Sequence, residues 1–224
     1  MLRLVFSTAP EGVDVADYDD WYEEHIRDVV SVPGFLRARR FTVHQRPGRR
    51  PPSEYSFLTI YETDPDPGSI REHLQIARPD WRPDWWGRLD FSSWECILKP
   101  GYSSPVVTDE MFLALSSPPA GVDGQTYDDW YADHLTENSA VAGIDRCWRF
   151  AMRPAGGNAP ADDPLTHLAL YELLEPMPAV FEQLHARREA GDVVFPSWFG
   201  QIDFGSVAVS ARSAQVTSPV RASS

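Results

Sequence analysis

Hydrophobic and polar residues along this chain follow two periods, and where one gives way to the other marks the elements. Leu2 to Ser7 is a short apolar run closed by Ala9-Pro10, which predicts a strand. From about Val15 to Val30 the period becomes helical. Tyr18, Trp21, Tyr22, His25 and Val29 fall at i, i+3, i+4, i+7 and i+11, so they share one face. Asp14 or Asp17 suits the N-cap, and Pro33-Gly34 stops the helix. Phe35 to Gln45 and Tyr55 to Glu62 read as strands, separated by the breaker-rich loop Arg46 to Pro52. A turn over Thr63 to Gly68 leads into a second helix starting near Ser69. Trp94 to Leu98 reads as a fourth strand, and Lys99 to Pro105 as a linker.

The pattern then starts again. Tyr18-Asp19-Asp20-Trp21-Tyr22-x-x-His25 returns 109 positions later as Tyr127-Asp128-Asp129-Trp130-Tyr131-x-x-His134. The same offset matches Gly12-Val13-Asp14 to Gly121-Val122-Asp123. It also matches Gly34, Arg37, Arg40 and Phe41 to Gly143, Arg146, Arg149 and Phe150. Later segments correspond more loosely: Tyr61-Glu62 matches Tyr171-Glu172, and Trp85-Trp86-Gly87 resembles Ser197-Trp198-Phe199-Gly200. Each unit therefore runs strand, helix, strand, strand, helix, strand. Such a βαββαβ unit forms a four-stranded antiparallel sheet with both helices on one face. Its other face is apolar and bare, and two units can bury those faces against each other. The expectation is an α+β protein: two fused ferredoxin-like repeats, residues 1–104 and 105–212, closing one barrel within the chain. The loop from Pro154 to Pro164 is expected to be long and mobile. The small, polar residues 213–224 are expected to form a disordered tail.

Composition narrows the partners. A net charge of −13 repels phosphate backbones and anionic lipid, which argues against nucleic-acid and membrane partners. No apolar run approaches the ~20 residues of a membrane span, and the N-terminus turns polar too soon for a secretory signal. The two cysteines, Cys96 and Cys147, lie far apart in no metal or disulfide pattern, so they read as thiols of a reducing cytoplasm.

The order of elements, with a first helix whose aromatic stripe ends in His before a Pro-Gly turn, resembles the dimeric α+β barrel superfamily, and within it EthD-like proteins. The resemblance covers residues 1 to about 212 as two copies. It implies a pocket between helices and sheet in each unit. It also implies a broad choice of chemistry: polyketide cyclases, dehydratases, isomerases, cofactor-free monooxygenases and haem enzymes share the fold. The acidic Gly-x-x-Asp-Gly signature of dye-decolourising peroxidases is missing.

On that frame His25 and His134 are the candidate acid/base residues, because imidazole exchanges protons near neutrality. Tyr22 and Tyr131 are the candidate donors to a developing enolate, with Tyr61 and Tyr171 as further sources. Trp21, Trp130, Tyr18 and Tyr127 on the same stripe, with Trp85, Trp86 and Trp198, are candidate walls for a flat substrate. The run Trp81 to Trp86 reads equally as a pocket lid or as a plug over the barrel end. His73 on the expected second helix, and His185 in the other copy, are not repeat-equivalent, and either could complete a site in its own half. The carboxylates Asp19, Asp20, Asp128 and Asp129 sit in first helical turns, where they read as capping or solvated groups. Arg37, Arg40, Arg146 and Arg149 could bind a substrate carboxylate through paired N–H donors, but such arginines more often neutralise acidic neighbours on a surface, and that reading is preferred.

There is no phosphate loop, nucleophile elbow, HExxH or metal-ligand spacing. Three readings follow. The first is a cofactor-independent lyase, cyclase or isomerase acting on a small hydrophobic, aromatic or polyketide-like carbonyl compound. The second is a haem- or oxygen-dependent, monooxygenase-like oxidoreductase. The third is a binding protein without catalysis. Monomer and homodimer both remain open.

Overall fold

A computed structural model describes residues 1–44, 54–64, 82–103, 108–161 and 164–219. The first half contains β1 (Leu2–Thr8), α1 (Val15–Val30), β2 (Phe35–His44), β3 (Phe57–Thr63) and β4 (Asp90–Leu98). The second contains β5 (Glu110–Ser117), α2 (Gly124–Ser139), β6 (Ile144–Gly157), β7 (His167–Leu173), α3 (Met177–Ala190) and β8 (Asp203–Ala211), followed by a short β9 (Val216–Thr217). The helix expected near Ser69, with His73 and Trp81, lies outside the described residues.

All strand pairings are antiparallel. β2, β3, β1 and β4 lie side by side in that order, and β6, β7, β5 and β8 repeat it. β4 pairs with β6 and β8 with β2, which closes an eight-stranded barrel with no free edge between the halves. Both halves shift register at the same place, between Phe35 and Arg37 and between Ile144 and Arg146.

Alternation along each strand sorts the core. Met111, Leu113 and Leu115 of β5 point into the barrel with Leu4, Phe6, Ile60, Trp94, Trp148 and Phe150. Phe112, Ala114 and Ser116 point outward, beneath the helices of the second half. The bare apolar faces of the two sheets are thus the barrel interior.

Two expectations are corrected. The segment from Pro154 does not open as a loop, because β6 continues to Gly157. Its end is held by pairing Ser93 with Gly156 and Ser92 with Gly157, and by the bond from the Asn158 N–H to the Phe91 carbonyl (2.7 Å). Nor are residues 213–219 a disordered tail. Val216 and Thr217 pair with Ala38 and Arg37, and the Ser218 N–H donates to the Leu36 carbonyl (2.8 Å). β8 pairs only with Phe41–His44 of β2, so the segment after it covers backbone groups that would otherwise form an open edge.

Candidate functional site

The two stripe helices start alike. Asp14 caps α1 by accepting from the Ala16 N–H (2.8 Å), and Asp123 caps α2 by accepting from the Thr126 N–H (3.0 Å). Their first aromatics are anchors. Tyr18 donates to Ser7 (2.9 Å) and Tyr127 to Ser116 (2.7 Å), and both rings are wholly buried. One turn on, Trp21 stacks on His25 (centroids 4.8 Å, planes 17° apart) and Trp130 on His134 (4.9 Å, 13°). A short 3-10 turn then covers each tryptophan: Trp85 and Trp86 on Trp21, Trp198 and Phe199 on Trp130.

Behind the stripe each half buries an arginine. Arg40 lies over Tyr22 (4.4 Å) and Phe57 (4.3 Å), and Arg149 over Tyr131 (3.5 Å). Asp19 pairs with Arg40 and Arg212. Asp128 pairs with Lys99 and stands 3.9 Å from Arg149 and 3.5 Å from His167. Asp19 and Asp128 are therefore ion-pair partners of buried or half-buried cations, not simply capping groups. Arg212 and Arg40 hold the Asp19 carboxyl below its usual range against the opposing pull of burial. Arg37 and Arg146 do meet acids, Glu62 and Glu172.

Between α2, α3 and the outer face of the second sheet lies a cavity of about 500 Å³. That is within the size range of small-molecule pockets. α3 lines it through Met177, Val180, Phe181, Leu184, His185 and Arg188, one helical face. Gly143 lets α3 sit this close, since a Cβ there would meet Val180 Cγ2 at 2.7 Å. Aromatic rings dominate the remaining wall: Phe112, Trp130, Phe195, Phe199 and Phe204.

The polar groups of this cavity converge. Asn138 Nδ2 donates to His134 Nε2 (3.2 Å) and to the Tyr171 hydroxyl (3.2 Å). Tyr131, Ser116 and Ser206 line the same wall. Burial, aided by the Arg149 cation, pulls His134 down to about 4, and burial alone pulls His25 down to about 3. Both imidazoles are neutral at pH 7, and the amide bond makes His134 Nε2 the acceptor. Burial pushes Tyr171 well above the usual phenol value and raises Tyr131 as well, so both keep their protons as donors.

No protein-family model matches the chain, and no curated protein does. Solved structures do. A candidate monooxygenase of Fusobacterium nucleatum subsp. nucleatum aligns with TM-score 0.56 at 9% identity, over 95% of this chain and 92% of that one. A candidate chlorite dismutase aligns with TM-score 0.52 at 12%, over 95% and 94%. An anthrone oxidase-like protein aligns with TM-score 0.50 at 12%, over 97% and 92%. The chain has the dimeric α+β barrel fold. At such low identity the likeness extends to the fold alone.

In this α+β barrel the expected residues separate. His134, Tyr131, Tyr171 and Trp130 meet around the cavity, and His185 lies on its wall. Tyr127 stands behind the wall, its hydroxyl spent on Ser116, and Trp198 packs outside on Trp130. In the first half Tyr18, Tyr22, Tyr61, Trp21 and Trp85 form one packed cluster, with His25 stacked on Trp21 and Trp86 edge-on to it. His73 remains outside the described residues. Asn138 and Arg188 line the cavity and were not singled out from the sequence. Asn138 had a signal: it stands four residues after His134 on the same face, where the first copy has Val29.

Proposed function

We propose that the second-half cavity is the active site of a cofactor-independent oxidoreductase of the monooxygenase kind. Its substrate is a flat, hydrophobic aromatic or polyketide-like compound carrying an acidic phenol, or a methylene beside a conjugated carbonyl. The observation that carries the reading is the hydrogen-bonded group Tyr171–Asn138–His134 at the polar wall of an aromatic cavity. The chain is taken as two fused EthD-like copies, residues 1–104 and 105–212, of which the second works. Val29 gives the first copy no amide between His25 and Tyr61.

The ligand oxygen accepts from the Tyr171 and Tyr131 hydroxyls. The Arg149 guanidinium beneath the Tyr131 ring strengthens that donor, because nearby positive charge favours the phenol giving up its proton. His134 takes the substrate proton once Asn138 yields Nε2 to it. A base near 4 is weak. Against a group of phenol-like acidity the gap is about 6 units, roughly 8 kcal/mol before the tyrosines stabilise the anion. Against an ordinary ketone the gap is far wider. The electrostatics thus favour substrates whose anion is already delocalised over rings. Such an anion can give an electron to dioxygen, and the balance is one methylene plus O2 giving one ketone plus water. The solved neighbours described as a monooxygenase and as anthrone oxidase-like support this class over a lyase or isomerase.

Haem fits the deep wall poorly. His134 Nε2 accepts from Asn138, and its Nδ1 is buried 3.7 Å from Glu137 Oε2, so neither ring nitrogen is presented to the cavity as a free ligand. A haemin titration showing no Soret shift is the expected companion result. The main test is oxygen uptake with anthrone as probe. The wild-type protein is expected to raise uptake above the spontaneous rate, Tyr171→Phe to lower the increment by about 10²-fold, the scale of a lost oxyanion donor, and Asn138→Val, which unties Tyr171 from His134, to lower it as well. A change in the anthrone spectrum without oxygen consumption would replace oxidation by isomerisation. Uptake unaffected by either substitution would remove the site.

A further inference from the structure

We propose that Arg188 selects, for this same cavity, a ligand with an anionic substituent such as a carboxylate on the ring next to the one that meets His134. The proposal rests on the cavity reading above and adds the charge of the ligand to it.

Arg188 is on the cavity-facing side of α3, one turn after Leu184, and is solvent-exposed while contributing to the wall. Its guanidinium carbon lies 5.2 Å from the Phe195 ring centroid, and that ring lies 5.9 Å from His134. One phenyl ring therefore separates the cation from the imidazole, about the span of fused aromatic rings. Among the described residues no carboxylate pairs with Arg188. The adjacent Glu189 forms no ion pair with it, whereas Arg37, Arg40, Arg146, Arg153 and Arg212 each meet an acid.

An unneutralised cation at the opening of an apolar cavity is unusual in a chain of net charge −13, whose overall field repels anions. Placed where a ligand enters, the planar fork offers two parallel N–H donors to a carboxylate or sulfonate, while Phe195 holds the fork's face. The polar wall deeper in is built from neutral donors and acceptors: Tyr171, Asn138 and neutral His134. The cavity thus distinguishes two ends of a ligand, an uncharged oxygen inside and a negative group at the rim.

Two dyes sharing one skeleton test this. 8-Anilinonaphthalene-1-sulfonate carries a sulfonate that N-phenyl-1-naphthylamine lacks, and both fluoresce in apolar surroundings. Titrated into the full chain at low salt, the sulfonate is expected to bind about ten-fold tighter than the neutral dye. Arg188→Gln should bring the sulfonate to the neutral dye's affinity and leave the neutral dye within two-fold of wild type. Arg188→Lys should keep part of the preference, and high salt should erode it. Leu184→Trp, which fills the cavity, should abolish both. If Leu184→Trp removes both dyes but Arg188→Gln affects them alike, the proposal falls and the cavity reading stands. If Leu184→Trp changes neither, both fall together.

Discussion

In the proposed reaction His134 is the base, and its state follows from what surrounds it. Trp130 covers one face, Asn138 occupies Nε2, and Arg149 adds positive charge nearby. The folded pKa near 4 lies below the ordinary value of 6.5, so protons bind the unfolded chain first. Above about pH 6.5 both states are neutral and stability is unaffected. As pH falls from 6.5 toward 4, the unfolded state gains protons that the folded state refuses, and stability drops. For His134 alone the loss levels off near about 3 kcal/mol. His25 and His167 act in the same direction. Urea midpoints measured across this window should fall with acidification. His134→Phe should make the slope shallower by its own share, leaving the part due to His25 and His167 and, at lower pH, the carboxylate-driven loss where Asp19 protonates. Asn138 supplies a second test at this scale. Asn138→Val gives the second copy the residue of the first. Circular dichroism should be unchanged, and His134 should keep its lowered pKa, because burial and the Arg149 cation set it. NMR titration of the imidazole reads that value, and a clear upward movement in Asn138→Val would show that the amide holds it down as well.

At the scale of elements, most of what the sequence pattern predicts is what forms. The stripe at i, i+3, i+4 and i+7 gives a helix over Val15–Val30, because its apolar face matches a sheet face and Asp14 caps it. Strand periods located β1, β2 and β3 to within a few residues. What escaped the pattern depended on partners far along the chain. Pro154, Gly156 and Gly157 read locally as a loop, yet β4 extends that far and supplies the ladder. Ser213 to Ser218 has no apolar period at all, and its strand exists because β2 leaves an edge to be filled. Asn138 was hidden in another way, since a single polar residue in a stripe has no period to reveal it. Gly157 shows how specific the long-range pairing is. Its φ is +69°, and a Cβ would sit 2.2 Å from the Phe91 carbonyl oxygen. Gly157→Ala must both strain the backbone and push β6 off β4, at a cost of about 3 kcal/mol. Thermal unfolding should shift down by roughly 10 °C for a chain of this size. A shift of only a degree or two would mean that this end of β6 is not held against β4.

At the scale of the whole molecule, the decisive feature is that neither half owns its hydrophobic interior. Leu4, Phe6 and Ile60 of the first half and Leu113, Trp148 and Phe150 of the second belong to one cluster inside the barrel. β4–β6 and β8–β2 seal that cluster with backbone ladders on both sides. Opening one half would expose the interior face of the other and leave two strand edges unpaired, a state with no compensating contact. The halves should therefore unfold together. Calorimetry of the full chain is expected to give one transition whose calorimetric and van't Hoff enthalpies agree, where two independent domains would give two. Separated halves sharpen the test. A polypeptide of residues 105–219 keeps α2, α3 and the cavity lining, but bares β6, β8 and the apolar side of its sheet. Two copies can satisfy each other by pairing β6 of one with β8 of the next, as β6 does with β4 in the intact chain. Light scattering should find this fragment as a dimer or larger assembly. A folded, monomeric fragment with the far-ultraviolet spectrum of half the protein would show that barrel closure is dispensable, and the fused arrangement would then need another physical reason.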